Sequence, residues 1–250
     1  MLPDQNLIPS ISYTPIFDPL FEKVNTSLFL ARLELLPYPG SGNKTFKLKY
    51  NLLEARAKGF DTLITFGGAY SNHLYATAES AKHYGFKSVG IVRGEPSSTL
   101  NETLNYCQQQ GMQLVYMSRE DYRKKNDSTF IQSWLTSHHI PLGYLIPEGG
   151  TNRFAVKGVA ELIPQLPEHT DIIVTAVGTG GTMAGIVSGM HTNQSAWGIA
   201  ALKGRDFLYQ DVEHLLHTSG NEKTAQKEWE IIGDYHLGGY AKCPEELVLF

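Results

Sequence analysis

The chain has 250 residues, of which 42% are hydrophobic and 18% charged, and this composition excludes a disordered or low-complexity protein. Its formal net charge of -4, without a cluster of basic residues, argues against nucleic acid or a membrane surface as a partner. Two cysteines are too few for a disulfide framework or a metal site, and no apolar run approaches the length of a membrane span, so we expect a cytoplasmic protein without a metal.

Apolar runs of strand length alternate with helical patterns along most of the chain. The first 26 residues are rich in proline and have no clear period, which predicts an extended lead-in. Apolar runs then predict strands at 28–36, 62–66, 88–92, 113–117, 144–146, 171–177 and 197–202. Helical periodicity fills most of the intervals, and Thr99 is the predicted N-cap of one helix. This alternation is typical of βαβ units, so we predict an α/β fold of mostly parallel sheets.

Lys44 occupies an unusual position for a surface lysine. It follows Gly40 and Gly42 at the start of a predicted helix, where the positive end of the helix dipole disfavours a cation. The same position lowers the pKa of an amine and favours its neutral form, which is nucleophilic towards an aldehyde. We therefore interpret Lys44 as a functional amine. Lys47 and Lys49 of the same helix are the controls for its substitution.

A glycine-rich loop at 176–185 follows a predicted strand and opens a helix. Its glycines would leave several backbone N–H groups free at a helix N-terminus, which is typical of a phosphate site. The alternative is a tight turn that needs glycine. A dinucleotide-binding loop is disfavoured because Met183 replaces the last glycine of that pattern and no acidic residue follows at the required spacing. A monophosphate therefore fits this loop better than NAD or ATP.

Two further strand-to-helix loops carry polar residues beside glycines. In the first, at 66–76, Ser71 and Asn72 stand at a helix start, where N-capping is an equally good explanation. In the second, at 144–158, loop punctuation is the simpler explanation of the glycines. Ligands on such folds gather at the carboxyl ends of the strands, so these loops would meet there. An amine, a phosphate cradle and a hydroxyl with an amide form the set that pyridoxal phosphate, a phosphate-bearing aldehyde, requires.

Three motifs carry a resemblance to a known family. The stretches "GSGNKTFKL" (40–48), "GGAYSNH" (67–73) and "VGTGGTMAG" (177–185) resemble those of the 1-aminocyclopropane-1-carboxylate deaminase and D-cysteine desulfhydrase family. Members of this family depend on pyridoxal phosphate and have the tryptophan-synthase-β-like fold, fold type II. The resemblance runs from about residue 28 to the end of the chain. It implies a homodimeric deaminase or lyase that converts a small amino acid into a 2-oxo acid and ammonia.

The resemblance assigns the cofactor contacts to particular residues. It implies that Lys44 is the Schiff-base lysine and that Asn43 lies beside the cofactor. Asn72 is implied as the partner of the cofactor ring hydroxyl and of the substrate carboxylate. The phosphate would be held by the loop residues Gly178, Thr179, Gly180, Gly181 and Thr182.

The resemblance also assigns residues to the substrate and to catalysis. Ser71 is implied as a proton-transfer or nucleophilic hydroxyl that contacts the substrate together with Asn72 and His73. His73 stands where the named deaminases usually carry glutamine. Tyr240, within "GGYAKCPEEL" (238–247), is the candidate for an active-site tyrosine. The implied catalytic residues are therefore Lys44, Ser71 and Tyr240.

The candidate amine and the candidate phosphate loop are far apart in sequence, so we expect two lobes with the cofactor site in the cleft between them. The larger lobe would comprise 1–54 and 156–250, and the smaller one 55–155. The resembling proteins continue past Phe250 with a second active-site tyrosine and the group that faces the pyridine nitrogen. The alternative interpretation is therefore a truncated or degenerate member that binds pyridoxal phosphate with little turnover.

Overall fold

The structure is a computed structural model that describes residues 10–37, 39–40, 42–201, 205–220, 227–235 and 244–245. The strands are β1 (Tyr13–Ile16), β2 (Leu28–Ala31), β3 (Thr62–Gly67), β4 (Lys87–Arg93), β5 (Met112–Met117), β6 (Tyr144–Ile146), β7 (Ile172–Val177), β8 (Ser195–Ala200) and β9 (Glu228–Ile232). The helices are α1 (Pro19–Lys23), α2 (Asn43–Ala57), α3 (Asn72–Tyr84), α4 (Glu102–Gln109), α5 (Arg119–Tyr122), α6 (Ser128–Ser137), α7 (Arg153–Ala160), α8 (Gly181–Gly189) and α9 (Arg205–Thr218). Within these ranges, no helix combines the length and the apolar character that a membrane crossing would need.

The strands form two separate parallel sheets and one small antiparallel pair. The four-stranded sheet has the order β5-β4-β3-β6, and the three-stranded sheet has the order β7-β8-β9. In the first sheet Thr65 of β3 lies opposite Gly90 of β4 and Ile146 of β6. Because all neighbours within each sheet run in the same direction, the loops that follow the strands lie at one edge of it. The predicted α/β fold of mostly parallel sheets flanked by helices is confirmed.

Helix α2 contributes to the hydrophobic cores of both parallel sheets. Phe46 packs in the core that contains residues of α7, α8 and the three-stranded sheet. Leu48 and Leu52, on another side of the helix, pack in a core with residues of β3, α3 and β6. A Cβ on Gly158 of α7 would lie 2.0 Å from the carbonyl oxygen of Phe46, so only glycine permits this close approach of the two helices. These contacts hold the N-terminus of α2 beside loops from both sheets.

Among the described residues of the lead-in, the predicted extended form is present in β1 and absent in α1. Strand β1 pairs antiparallel with β2, so that Tyr13 lies opposite Ala31. Helix α1 lies between them, and the Asp18 side chain caps it by accepting a hydrogen bond from Leu20 N at 2.8 Å. Pro19 occupies the first turn of α1, where the missing N–H has no intrahelical partner in any case. The prediction was wrong for 19–23, because proline is compatible with a helix start.

Two other element boundaries differ from the prediction. The predicted strand at 28–36 ends at Ala31, because residues 33–35 form a single turn of 3-10 helix. The N-cap of α4 is Asn101, whose side chain accepts a hydrogen bond from Leu104 N at 2.9 Å, and Thr99 does not cap this helix. Asparagine is among the strongest N-cap residues, so the correct cap lies two residues further along.

Candidate active site

The N-terminus of α2 places Lys44 in a partly buried position. The helix begins at Asn43, directly after Gly42, which has a φ of 64° and provides no side-chain cap. Lys44 Nζ donates a hydrogen bond to Asn43 Oδ1 at 3.4 Å. Burial lowers the pKa of the Lys44 amine to about 8. The direction is the one expected from the sequence, although burial and not the helix dipole is its main cause.

The glycine-rich loop lies next to this end of α2. Asn43 Nδ2 donates a hydrogen bond to Thr182 Oγ1 at 2.8 Å, which joins the start of α2 to the start of α8. Gly180 precedes α8 with a left-handed φ of 75° and provides no side-chain cap. The backbone N–H groups of the first turn of α8 are therefore left for a ligand, as in other helix N-termini that bind anions.

A second amine, that of Lys47, lies one helical turn after Lys44 and is fully buried. Its Nζ donates a hydrogen bond to Thr151 Oγ1 at 3.0 Å. A Cβ on Gly181 would lie 2.9 Å from this Nζ, so the glycine leaves room for the amine at the start of α8. Burial, reinforced by the charge of Lys44, holds the pKa of Lys47 well below its usual range. The sequence interpretation treated Lys47 as a control and missed its place in the site.

The signal that could have identified Lys47 is its spacing. Residues three apart lie on neighbouring positions of a helix surface, so Lys47 must share a side of α2 with Lys44. Lys49 lies on another side, where its Nζ is 2.8 Å from Glu161 Oε2 of the residue that follows α7. Within the described residues, Lys49 is thus paired with a carboxylate and Lys47 is not.

The loop after β6 borders the site on the side of the four-stranded sheet. Thr151 Oγ1 and Thr179 Oγ1 are hydrogen-bonded at 2.5 Å, so this loop contacts the glycine-rich loop. Gly149 has a φ of 68°, and a Cβ there would lie 2.6 Å from Thr179 Oγ1. The Glu148 carboxylate accepts a hydrogen bond from Tyr122 Oη at 2.9 Å and pairs with Lys125 Nζ at 3.3 Å. Its negative charge is thus engaged by groups other than Lys44 and Lys47.

Ser71 and Asn72 lie at the start of α3, at the carboxyl end of β3. The Ser71 side chain caps the helix by accepting a hydrogen bond from Leu74 N at 3.3 Å. A Cβ on Gly67 would lie 2.6 Å from Ser71 Oγ, so the glycine allows the hydroxyl to approach the strand end. Asn72 is the first residue of α3 and its side chain is exposed. The geometry thus gives Ser71 a capping role and leaves Asn72 accessible to a ligand.

His73 is fully buried behind these two residues, and its tautomer follows from its neighbours. Thr65 Oγ1 donates its one hydrogen to the carbonyl oxygen of Ile146 at 2.9 Å. The same oxygen lies 2.7 Å from His73 Nε2 and must accept from it, so Nε2 carries the proton. His73 Nδ1 is buried without a hydrogen-bond partner. Burial, with the charges of Lys44 and Lys47, holds the pKa of the imidazole well below its usual range.

The site therefore collects basic groups without a counter-charge. The ion pairs of the described ranges include neither Lys44 nor Lys47. In the same part of the chain, no cluster of His, Cys, Asp or Glu could hold a metal ion. Two amines beside a helix N-terminus fit an anionic ligand, and one amine with a lowered pKa fits a reactive carbonyl. These residues suit pyridoxal phosphate.

The structure brings together most of the residues that the sequence proposed. Asn43 contacts the loop 178–182 directly, through Thr182, and Lys44 contacts Asn43. His73 is close enough to Lys44 for the charge of the amine to lower the pKa of the imidazole, and Ser71 and Asn72 directly precede His73 at the start of α3. Tyr240 lies outside the described residues.

Comparisons with known proteins agree with this geometry. Residues 7–248 match the family model described as "Pyridoxal-phosphate dependent enzyme". The chain is 33% identical over 247 residues to a putative 1-aminocyclopropane-1-carboxylate deaminase of Thermotoga maritima, which covers 93% of this chain and 78% of that protein. It is 29% identical over 218 residues to a bifunctional D-cysteine desulfhydrase/1-aminocyclopropane-1-carboxylate deaminase, mitochondrial, of Arabidopsis thaliana, which covers 76% of this chain and 52% of that protein.

A solved structure gives the same result for the fold. The crystal structure of an ACC deaminase homologue matches with a TM-score of 0.78 and 23% identity, over 96% of this chain and 76% of that one. The resemblance read from the three motifs and the fold class is confirmed. None of these similarities favours the alternative of a cofactor-binding chain with little turnover.

Proposed function

Because the chain belongs to the family of pyridoxal-phosphate-dependent enzymes, we propose that it is a deaminase or lyase that converts a small amino acid into a 2-oxo acid and ammonia. The names of the relatives support this reaction class, since they include deaminases and a D-cysteine desulfhydrase. The observation that carries the proposal is the Lys44 amine, with a pKa of about 8, joined through Asn43 to Thr182 of the glycine-rich loop.

The proposal gives each group of residues a task. Lys44 Nζ would hold the cofactor aldehyde and is the group that would carry a proton taken from the substrate. The N–H groups of the loop 178–182 would hold the phosphate, and Asn43 fixes the loop relative to Lys44 through Thr182. Asn72 and Ser71, at the start of α3, would orient the substrate carboxylate. The Ser71 hydroxyl would also serve in proton transfer. When bound, pyridoxal phosphate supplies an electron sink for the bonds of the substrate α-carbon.

We also propose that the chain is divided into two lobes around this site. The larger lobe comprises 1–54 and 156–250, and the smaller one comprises 55–155. Two findings support the division: the parallel sheets are separate, and their cores are distinct clusters of buried residues. The site then lies in the cleft between the lobes, because Thr151 of one loop contacts Thr179 of the other.

The proposed assembly is a homodimer in the cytoplasm. Large apolar side chains are exposed along the segment from β1 to residue 35, namely Ile16, Phe17, Leu20, Val24, Leu28, Phe29, Leu30 and Leu35. Exposed apolar side chains concentrated in one segment support a subunit interface there. Size-exclusion chromatography with light scattering measures the state directly, and a particle of 27.8 kDa would contradict the dimer.

The reaction is tested by adding pyridoxal phosphate and then a panel of D- and L-amino acids that includes D-cysteine and 1-aminocyclopropane-1-carboxylate. We expect a visible absorbance of the protein-bound cofactor, and release of ammonia with a 2-oxo acid from at least one amino acid. Lys44→Ala should abolish both signals, whereas Lys87→Ala, at a side chain that is 78% exposed, should preserve both. Bound cofactor without product from any amino acid would refute the reaction, and no bound cofactor would refute the site.

A further inference from the structure

The turn that leads into α2 is held by a carboxylate of α3. Gly40 N donates a hydrogen bond to Glu79 Oε2 at 2.9 Å. Gly40 has a φ of 97°, and a Cβ there would lie 2.9 Å from Ser80 Oγ, so the turn packs closely on α3. The other carboxylate oxygen, Glu79 Oε1, accepts a hydrogen bond from Tyr106 Oη of α4 at 3.2 Å. The Glu79 side chain therefore bridges the turn before α2 and helix α4.

The Glu79 side chain is held in one orientation by its surroundings. The ring of Tyr106 stacks on that of Tyr75, which lies one turn before Glu79 on α3, with ring centroids 3.9 Å apart. Burial first, and then the contacts with Tyr75 and Glu79, raise the pKa of Tyr106, so its hydroxyl keeps its proton and donates. Each oxygen of the carboxylate thus has its own donor. Hydrogen bonds to an ionised acceptor are stronger than those between neutral groups.

The first turn of α2 depends on hydrogen bonds because its apolar contacts begin later. Among the described residues of the helix, Phe46 is the first that belongs to a hydrophobic core. Further towards the N-terminus, Gly42 N donates to the carbonyl oxygen of Leu33 at 3.2 Å. The bond from Gly40 to Glu79 adds a tie to α3. Without it, the start of α2 would lose a polar contact that fixes it relative to that helix.

Helix α3 carries two groups of residues that matter for the site. Ser71 and Asn72 stand at its start, and Glu79 lies about 12 Å further along the helix axis. We propose that Glu79 is a positioning residue for Lys44: its carboxylate holds the turn at Gly40 on α3 and so fixes the Lys44 amine relative to Ser71 and Asn72. The inference rests on the proposed function, since it assigns a support to the proposed cofactor amine. Glu79 itself touches neither the cofactor nor the substrate in this account.

The proposal has a sign that separates positioning from an electrostatic effect. Burial lowers the pKa of Lys44 to about 8, and the other titratable groups that act electrostatically with this amine, Lys47 and His73, are basic. A loosened turn admits water to the amine and moves its pKa up towards the ordinary 10.5. Loss of the negative charge of Glu79 alone would act in the opposite direction, because a nearby anion favours the ammonium form.

The test uses the ligand-free protein and two substitutions of Glu79. Acetylation of Lys44 by acetic anhydride between pH 7 and 10, followed by mass spectrometry of the peptides, gives the midpoint at which the amine becomes neutral. Glu79→Leu should raise this midpoint by about one pH unit and slow cofactor attachment at pH 7.5 at least fivefold. Glu79→Gln should retain both values, because its amide oxygen can accept from Gly40 N while its amide nitrogen donates to Tyr106 Oη. An unchanged or lower midpoint in Glu79→Leu, or an equal rise in Glu79→Gln, would overturn the proposal.

A third variant tests for general loosening of the same helices. Cys107→Ala removes a buried atom from the core shared by α3 and α4 but leaves the Glu79 bridge intact. It should lower the free energy of unfolding without a change in the acetylation midpoint or the attachment rate. A change equal to that of Glu79→Leu would assign the effect to packing and overturn the positioning role.

The unaltered protein provides a measurement that does not depend on the folding of any variant. Hydrogen exchange of the Gly40 amide, followed by NMR with isotope-labelled glycine, should be slowed at least tenfold by its bond to Glu79. An unprotected amide would overturn the proposal. Failure of the proposed function would show itself separately, as missing absorbance or missing 2-oxo acid, because exchange and acetylation are measured without the cofactor.

Discussion

Helix α2 carries lysine amines on two sides. On one side the amine is paired with a carboxylate, and on the other side the described partners are neutral. On the side towards α7, Lys49 Nζ pairs with Glu161 Oε2 at 2.8 Å, and Tyr50 Oη donates to Glu161 Oε1 at 2.5 Å. On the side towards the strand-end loops, Lys47 is more deeply buried, and its partner among the described residues is the hydroxyl of Thr151. The partner of Lys44 among the same residues is the amide oxygen of Asn43.

The difference separates a structural amine from a functional one. A buried charge is tolerated when a partner in the same chain neutralises it, and Lys49 meets this condition through Glu161. In the described ranges, Lys44 and Lys47 have no such partner, although they lie on the same helix and belong to the same residue type. An unpaired buried amine costs stability unless a ligand provides the opposite charge. The partner of each lysine, and not the residue type, therefore distinguishes Lys44 and Lys47 from Lys49.

The largest expected effect is a loss of stability when the ion pair between Lys49 and Glu161 is broken. Glu161→Leu leaves Lys49 buried without its carboxylate, and removal of one partner of a buried pair costs about 3–5 kcal/mol of the free energy of unfolding. Urea unfolding measures this loss. The matched variant Lys47→Met removes an amine that has no ionic partner, so its free energy of unfolding should be unchanged or slightly higher. Equal destabilisation by both variants would break the distinction between the two sides.

The next effect concerns the space that Gly181 leaves for Lys47. Gly181→Ala would place a Cβ 2.9 Å from Lys47 Nζ and 3.0 Å from Thr151 Oγ1, which pushes the amine away from the start of α8. We expect at least a tenfold loss of pyridoxal phosphate affinity in an equilibrium titration, with the fold retained because Lys47 is flexible. Gly68→Ala is the matched control, since its Cβ would make only an ordinary contact, 3.8 Å from the Arg93 guanidinium, and the residue lies outside the loop 178–182. A similar loss in both variants would argue against the steric explanation.

The last effect is a pH dependence that belongs to Lys44. Its pKa in the folded chain, about 8, lies below the ordinary value of 10.5, so the unfolded chain binds more protons between these two values. Stability should therefore rise with pH across this window and carry the full cost of the buried charge below pH 8. The rate of cofactor attachment should rise about tenfold per pH unit below pH 8 and then level off, because the neutral amine reacts. Stopped-flow absorbance between pH 6.5 and 9 measures it, and a flat profile would contradict the lowered pKa.

Much of the fold was predictable because buried parallel strands are continuous apolar runs. The runs at 62–66, 88–92 and 113–117 each fall within a strand of the four-stranded sheet. The lead-in was not predictable in this way, since β1 is short, partly exposed and paired only with β2. Its apolar side chains are not alternately buried, so the sequence has no clear period there.

The candidate site was predictable only as far as it depends on local sequence. Lys44 and the loop 178–182 stand out because glycines and helix starts are visible in a single stretch of chain. Lys47 was missed because its burial depends on Thr151 and Gly181, which are distant in sequence. The tautomer of His73 likewise depends on a hydroxyl contributed by β3 and a carbonyl contributed by β6. Such contacts exist only after the sheets and helices have packed.

The distinction between the two sides of α2 is tested most directly by identifying which lysine amine binds the cofactor aldehyde. The chain is incubated with pyridoxal phosphate, reduced with borohydride and digested, and the labelled peptide is sequenced by mass spectrometry. The comparison predicts a stoichiometric label on Lys44, because this amine is partly exposed and has a pKa of about 8, and none on the ion-paired Lys49. Lys47 should remain unlabelled because it is only 1% exposed. A label on Lys47 or Lys49, or a label spread over the surface lysines, would contradict the account.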